Sequence, residues 1–200
     1  GPGGRHCRTR GRRRPRAERE GGWPAPRKVS SRHVERAEAG AAVQKIAPCL
    51  WFEGNGLEAA ELYVSVFGGS IDRVHRALVQ TPGNAEGDVL FVEFTIAGQS
   101  YQALNGGPHD KFNDAISLSV SCDDQAEVDR IWDALTTGGG RPVQCGWLKD
   151  KYGVSWQIVP KRMLELLGDP DAARARRAMQ AMMKMVKLDI AALNAAADGR

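Results

Sequence analysis

Ile46-Ala47-Pro48-Cys49-Leu50-Trp51-Phe52 is an apolar run of the length of one buried strand, and Glu53-Gly54-Asn55 closes it. Pro48 cannot donate to a ladder, which suits an edge strand or a strand start. Asn55 reads as a helix N-cap, with Glu58 three residues on as the partner of an Asn-type capping box. Ala59, Leu62, Tyr63, Val66 and Phe67 then recur at helical spacing until Gly68-Gly69 stops them. The pattern returns at an offset of 68 residues. Leu50 matches Leu118, Phe52 matches Val120, Asn55 matches Asp123, Tyr63 matches Ile131 and Phe67 matches Leu135. An internal duplication is the economical explanation.

Working outward from the first helix, three strands are predicted at Ile71 to Val79, Asp88 to Ile96 and Tyr101 to Leu104. Thr81-Pro82-Gly83-Asn84 and Ala97-Gly98-Gln99 supply the turns. The second unit opens with Ala115 to Ser121, in which Ile116, Leu118 and Val120 share one side. Asp123 or Asp124 caps a helix carrying Val128, Ile131, Trp132 and Leu135, ended by Gly138-Gly139-Gly140. Pro142 to Cys145, Trp147 to Lys149 and Val154 to Val159 complete it. The expected fold class is therefore α+β: tandem βαβββ units at about residues 45–106 and 113–160, within a domain of residues 45–162.

Residues 163–200 read as a helical extension. Met163, Leu164, Leu166 and Leu167 form a short helix broken at Gly168-Asp169-Pro170. One longer helix is predicted after it, with Met179, Met182, Met183, Val186, Ile190 and Leu193 on one stripe. Arg174, Arg177, Lys184 and Lys187 lie opposite. Such a methionine stripe packs a core, or closes a pocket as a lid or dimer clasp.

Charge divides the chain at the same place as pattern does. The 200 residues carry 28 Lys plus Arg against 24 Asp plus Glu, and twelve of the basic but four of the acidic residues lie in positions 1–44. That segment is Arg-, Gly- and Pro-rich, lacks Leu, Ile, Phe, Met and Tyr, and is expected to be a disordered tail. Arg12-Arg13-Arg14 offers non-specific phosphate contacts, so any nucleic-acid association is expected through the tail alone. The remainder is mildly acidic. No apolar run approaches a membrane span. Cys7, Cys49, Cys122 and Cys145 are widely spaced without a C-x-x-C pair, which suits a reducing cytoplasm rather than a disulfide scaffold.

Two curved half-sheets enclose a cleft, and apolar walls with a few polar groups are what a small-molecule pocket needs. The candidate lining is Trp51, Tyr101, Gln102, Asn105 and His109 from the first unit, with Cys145, Trp147, Trp156 and Gln157 from the second. Trp147 and Trp156 at strand positions more often belong to a core. His75 and His109 are candidate general bases. Cys145 is a candidate nucleophile, although neither His nor Asp adjoins it in sequence. Lys149-Asp150-Lys151 before Gly153 reads as a turn with solvated charges, Asp150 at most supporting a neighbouring ligand.

Four stretches carry a resemblance: Pro48 to Asn55, Leu104-Asn105-Gly106-Gly107-Pro108, Cys145 to Pro160, and Met183 to Ile190. Across residues 45–194 the chain resembles the PhnB-like branch of the vicinal-oxygen-chelate superfamily, the glyoxalase and bleomycin-resistance proteins. That branch also bears the name 3-demethylubiquinone 3-methyltransferase. The resemblance implies a curved-sheet fold and, in metal-dependent members, a divalent ion held by His or Glu from the first, fourth, fifth and eighth strands. The donors in this chain are Gln102, Asp114 and Gln157, two amides and one carboxylate, implying at most a weakly held metal. S-adenosylmethionine is not expected: Gly68-Gly69, Gly106-Gly107 and Gly138-Gly139-Gly140 do not follow a strand and open a helix in the required order. The expectation is a cytoplasmic, homodimeric protein that binds a small organic ligand, either as a weakly metal-dependent enzyme or by sequestration of the bleomycin-resistance kind. Methyl transfer is the alternative that the family name carries.

Overall fold

The computed structural model describes residues 44–200, which lie within the compact unit Ala41–Arg200. The expectations for residues 1–43 fall outside the described residues. The element order is β1 (Cys49–Phe52), α1 (Gly56–Phe67), β2 (Gly69–Arg76), β3 (Val89–Ile96), β4 (Gln99–Asn105), β5 (Leu118–Cys122), α2 (Gln125–Thr136), β6 (Arg141–Pro142), β7 (Trp147–Lys149) and β8 (Ser155–Pro160). Helices α3 (Lys161–Leu167), α4 (Ala172–Met182) and α5 (Ile190–Ala197) follow. This is the tandem βαβββ plan that the sequence repeat predicts, with a helical extension.

Each unit forms a four-stranded sheet, in the orders β1-β4-β3-β2 and β5-β8-β7-β6. The outer strands β1 and β5 run parallel to β4 and β8, and the other pairings are antiparallel. Leu50 pairs with Ala103 and Leu118 with Trp156. The residues matched by the sequence repeat therefore occupy the same register in the two sheets.

Alternation along each strand sends one set of side chains beneath the helices. Leu50, Phe52, Val92, Phe94, Ile96 and Ala103 of the first sheet share one core with Leu148, Trp156 and Ile158 of the second, together with Tyr63 of α1 and Ile131 and Leu135 of α2. Trp156 is 2% exposed. It stacks on Phe67 at 5.0 Å and meets Tyr63 edge-on at 5.1 Å, so the two units are joined by aromatic packing. Fully burying each large apolar side chain contributes about 1.5–3 kcal/mol.

The repeat does not extend to helix capping. In α2 the Asp124 carboxylate accepts the Glu127 N–H at 2.8 Å, and Glu127 reaches back to the Asp123 N–H at 2.7 Å. In α1 Asn55 holds the cap position without a side-chain bond. Asn105, at the end of β4, accepts the Gly56 N–H instead at 2.8 Å. Glu58 is turned away to Lys151 and Tyr152 of the second unit.

Three further expectations are corrected. The strand predicted from Pro142 to Cys145 stops at Pro142, because Cys145 takes φ +58° and gives its N–H to Met185 O. The single C-terminal helix is two, separated by the segment Met183–Asp189. Cys145 and Gly146 N–H donate to Met185 and Val186 O at 2.8 Å, holding that segment against the second sheet, and Asp189 caps α5 through the Ala192 N–H. The stripe is thereby divided: Met179, Met183 and Val186 are exposed, whereas Leu193 is buried with Met163, Leu166, Ala178 and, outside the stripe, Leu188. Finally, β5 begins at Leu118, which leaves Ile116 outside the strand and 77% exposed.

Candidate functional site

The faces of the sheets turned away from the helices are half-buried. Register places Arg73, Glu93, Gln102 and Cys49 in one row across the first sheet, and His75, Phe91, Leu104 and Trp51 in the next. The equivalent face of the second sheet carries Trp147, Gln157 and Ser119 in one row, with Lys149 and Ser155 in another. Since Ala103 and Trp156 are equivalent, Gln157 corresponds to Leu104 and Gln102 to Ser155. The two glutamines are not counterparts.

The predicted site residues do not gather in one cleft. Tyr101 and Trp156 line a cavity of about 290 Å³ between the units, together with Phe67, Leu118 and Arg130. Tyr101 and Gln102 also border a second cavity of about 410 Å³ with Arg73 and Glu93. Trp51 lines a third, of about 500 Å³. Asn105 is buried: its Oδ1 holds α1, its Nδ2 donates to Val89 O at 2.8 Å, and its carbonyl accepts from Asn84 at 2.6 Å. It clasps the fold rather than facing a ligand. Cys145 lies at the Met183–Asp189 segment, Trp147 beside Gln157, and His109 is exposed in the loop after β4. His75 Nε2 lies 3.1 Å from Glu93 Oε2, which also has Arg73 at 3.8 Å.

Two of the three candidate metal donors have hydrogen-bond partners. Asp114 pairs with Lys149 at 2.9 Å and accepts from Ser155 at 2.7 Å, and these bonds hold its carboxyl below its ordinary range. Gln157 donates to Ser117 Oγ at 2.8 Å. Among the described residues no group of three or more His, Cys, Asp or Glu side chains is placed to hold a metal ion. The donor set does not fit a divalent ion.

One glycine arrangement was missing from the sequence reading. Gly54-Asn55-Gly56 does follow a strand and open a helix. Its first helical N–H is already taken by Asn105, and a Cβ at Gly56 would press on that same amide.

The largest of the three cavities was not foreseen. Its walls come from Pro48 and from Cys49 to Trp51 of β1, from Phe112, Ile116 and Ser117 in the connection to β5, and from Val154 and Ser155. Trp51 is held in place: Nε1 donates to Gly107 O at 2.9 Å, and a Cβ at Gly106 would run into the indole ring. Phe112 meets Phe52 edge-on at 5.3 Å. Burial pushes the Cys49 thiol up, so it presents an uncharged group to the cavity. The available sequence signal was the pair of apolar residues Phe112 and Ile116, four positions apart and just before Leu118.

No helix among the described residues is long and apolar enough to cross a membrane. Among curated proteins none matches the chain. Among solved structures, a PhnB protein from Bacillus cereus, described as a 3-demethylubiquinone-9 3-methyltransferase, is 34% identical; the match covers 58% of this chain and 99% of that one, with a TM-score of 0.53. A protein from Pseudomonas aeruginosa is 23% identical over 58% of this chain and 97% of its own, with a TM-score of 0.49. A glyoxylase/bleomycin resistance protein/dioxygenase domain from Frankia is 12% identical over 60% and 93%, with a TM-score of 0.40. The model of the family described as 3-demethylubiquinone-9 3-methyltransferase matches residues 44–159, both βαβββ units almost entirely, and the chain belongs to that family.

Proposed function

We propose that this protein binds a small organic molecule in the 500 Å³ cavity beside β1, and that binding without metal-assisted chemistry is its role. The observation that carries the reading is that cavity: largely apolar, of ligand size, and walled by a tryptophan whose orientation is set before any ligand arrives. Asp114, already committed to Lys149 and Ser155, supports sequestration over metal-assisted catalysis. The family's descriptive name would assign methyl transfer; the largely apolar cavity beside β1 supports the binding reading instead. The free thiols Cys49, Cys122 and Cys145 support a reducing, cytoplasmic setting.

The proposal includes a homodimer. The half-buried sheet faces carry Trp51 and Phe91 in one unit and Trp147 in the other, aromatic groups of the kind that interfaces cover. Light scattering at micromolar concentration then gives twice the 21.7 kDa chain mass; 21.7 kDa overturns the dimer. For the binding function, the purified protein is examined by native mass spectrometry and by thermal-shift screening of small organic compounds. A retained organic adduct, or a raised midpoint with at least one compound class, is expected. A bare chain stabilised by none of them overturns the reading.

A further inference from the structure

The chemistry of the cavity wall narrows what it accepts. Its charged lining residue, Lys111, pairs at the rim with Glu53 at 2.8 Å. Ser155 Oγ–H is committed to Asp114 at 2.7 Å, and Asn113 Oδ1 accepts the Ala115 N–H at 2.9 Å from an exposed position. Ser117 differs. It is half-buried, and its Oγ accepts from Gln157 Nε2 at 2.8 Å, which leaves the hydroxyl hydrogen to donate. A charged ligand group would leave water here without an unpaired partner, at a large desolvation cost. A ligand oxygen at Ser117 would gain a hydrogen bond in an apolar setting, where it is worth most.

We propose that this cavity selects a neutral, largely apolar molecule that presents a carbonyl or ether oxygen to Ser117, with its apolar body against Trp51. Gln157 is then a positioning residue: it holds the Ser117 oxygen so that the hydroxyl hydrogen is offered to the ligand. The inference rests on the reading of this cavity as the ligand site.

Calorimetry on the full chain with three probes of one frame tests both: 2-acetylnaphthalene, 2-ethylnaphthalene and 2-naphthoate. The ketone is expected to bind about tenfold more tightly than the hydrocarbon, the difference of one hydrogen bond, and the carboxylate more weakly than either. Ser117→Ala abolishes the difference between ketone and hydrocarbon. Gln157→Leu reduces that difference without removing it. Naphthoate binding as tightly as the ketone, or a ketone preference that survives Ser117→Ala, overturns the ligand class while the cavity reading stands. Failure of both neutral probes to bind, or neutral binding unaffected by Ile116→Lys at the cavity mouth, overturns the cavity reading and the inference with it.

Discussion

The Tyr63 hydroxyl donates to Asp150 Oδ2 at 2.7 Å, joining the helix of the first unit to the β7–β8 turn of the second across 87 residues of sequence. The same oxygen accepts Trp156 Nε1–H at 2.9 Å, and Oδ1 accepts the Tyr152 and Val154 N–H groups. Asp150 is 3% exposed, so the charge that the sequence places in a solvated turn is buried at the junction of the units. Burial pushes its carboxyl up, and the four donors pull against that. The same burial, reinforced by the neighbouring carboxylate, holds the Tyr63 hydroxyl well above its ordinary range, so it stays a donor.

Removing one donor is therefore milder than removing the acceptor. Tyr63→Phe is expected to cost about 1–2 kcal/mol, one hydrogen bond to a charged group. Asp150→Asn keeps the shape but leaves buried donors without partners, and about 3–5 kcal/mol is expected. Urea unfolding checks both: the midpoints fall in that order while the slope stays unchanged.

The cap of α1 makes a second, opposite pair of expectations. Asn105→Ala removes the acceptor of Gly56 N–H and the donor to Val89 O, and is expected to cost about 2–3 kcal/mol. Asn55→Ala, at the position that sequence pattern marks as the cap, costs less than about 0.5 kcal/mol because no side-chain bond is lost. Amide exchange at Gly56 quickens in the first variant and is unchanged in the second.

Glu58 carries a pH signature. Hydrogen bonds from Lys151 and Tyr152 hold its carboxyl below its ordinary range. A depressed folded-state pKa adds stability above the unfolded value, lost as pH falls through the folded one. The thermal midpoint of the native chain is therefore expected to exceed that of Glu58→Gln at pH 7, and the gap closes as pH is lowered through the carboxylate range.

Gln125 and Leu188 help hold the C-terminal extension to the second unit. Gln125 donates to Leu188 O at 3.1 Å and accepts the Ile190 N–H at 2.9 Å, and Leu188 packs against Gly146. Leu188→Ala is expected to cost about 2–5 kcal/mol as a buried truncation. Gln125→Ala frees the segment Met183–Asp189 locally, read as faster proteolysis there with little change in the global midpoint.

Sequence pattern by itself determined the duplicated βαβββ plan. Burial under one helix imposes a period of 3.6 on the helix and 2 on the strands, so Leu50 and Leu118, or Tyr63 and Ile131, announce equivalent places. Local chemistry also sufficed for the stop at Gly68 and narrowed the α2 cap to Asp123 or Asp124, each a matter of a few adjacent residues.

Tertiary structure decided whatever depends on partners distant in sequence. Asn105 rather than Asn55 caps α1, and Asp150 is buried because Tyr63 and Trp156 arrive to bond it. The C-terminal helix is broken because the N–H groups of Cys145 and Gly146 claim the carbonyls of Met185 and Val186. The cavity beside Trp51 exists because the connection from Lys111 to Ser117 crosses the edge of β1. Hydrogen bonds and cavities are settled by which surfaces meet, and periodicity along the chain carries only the direction each side chain faces.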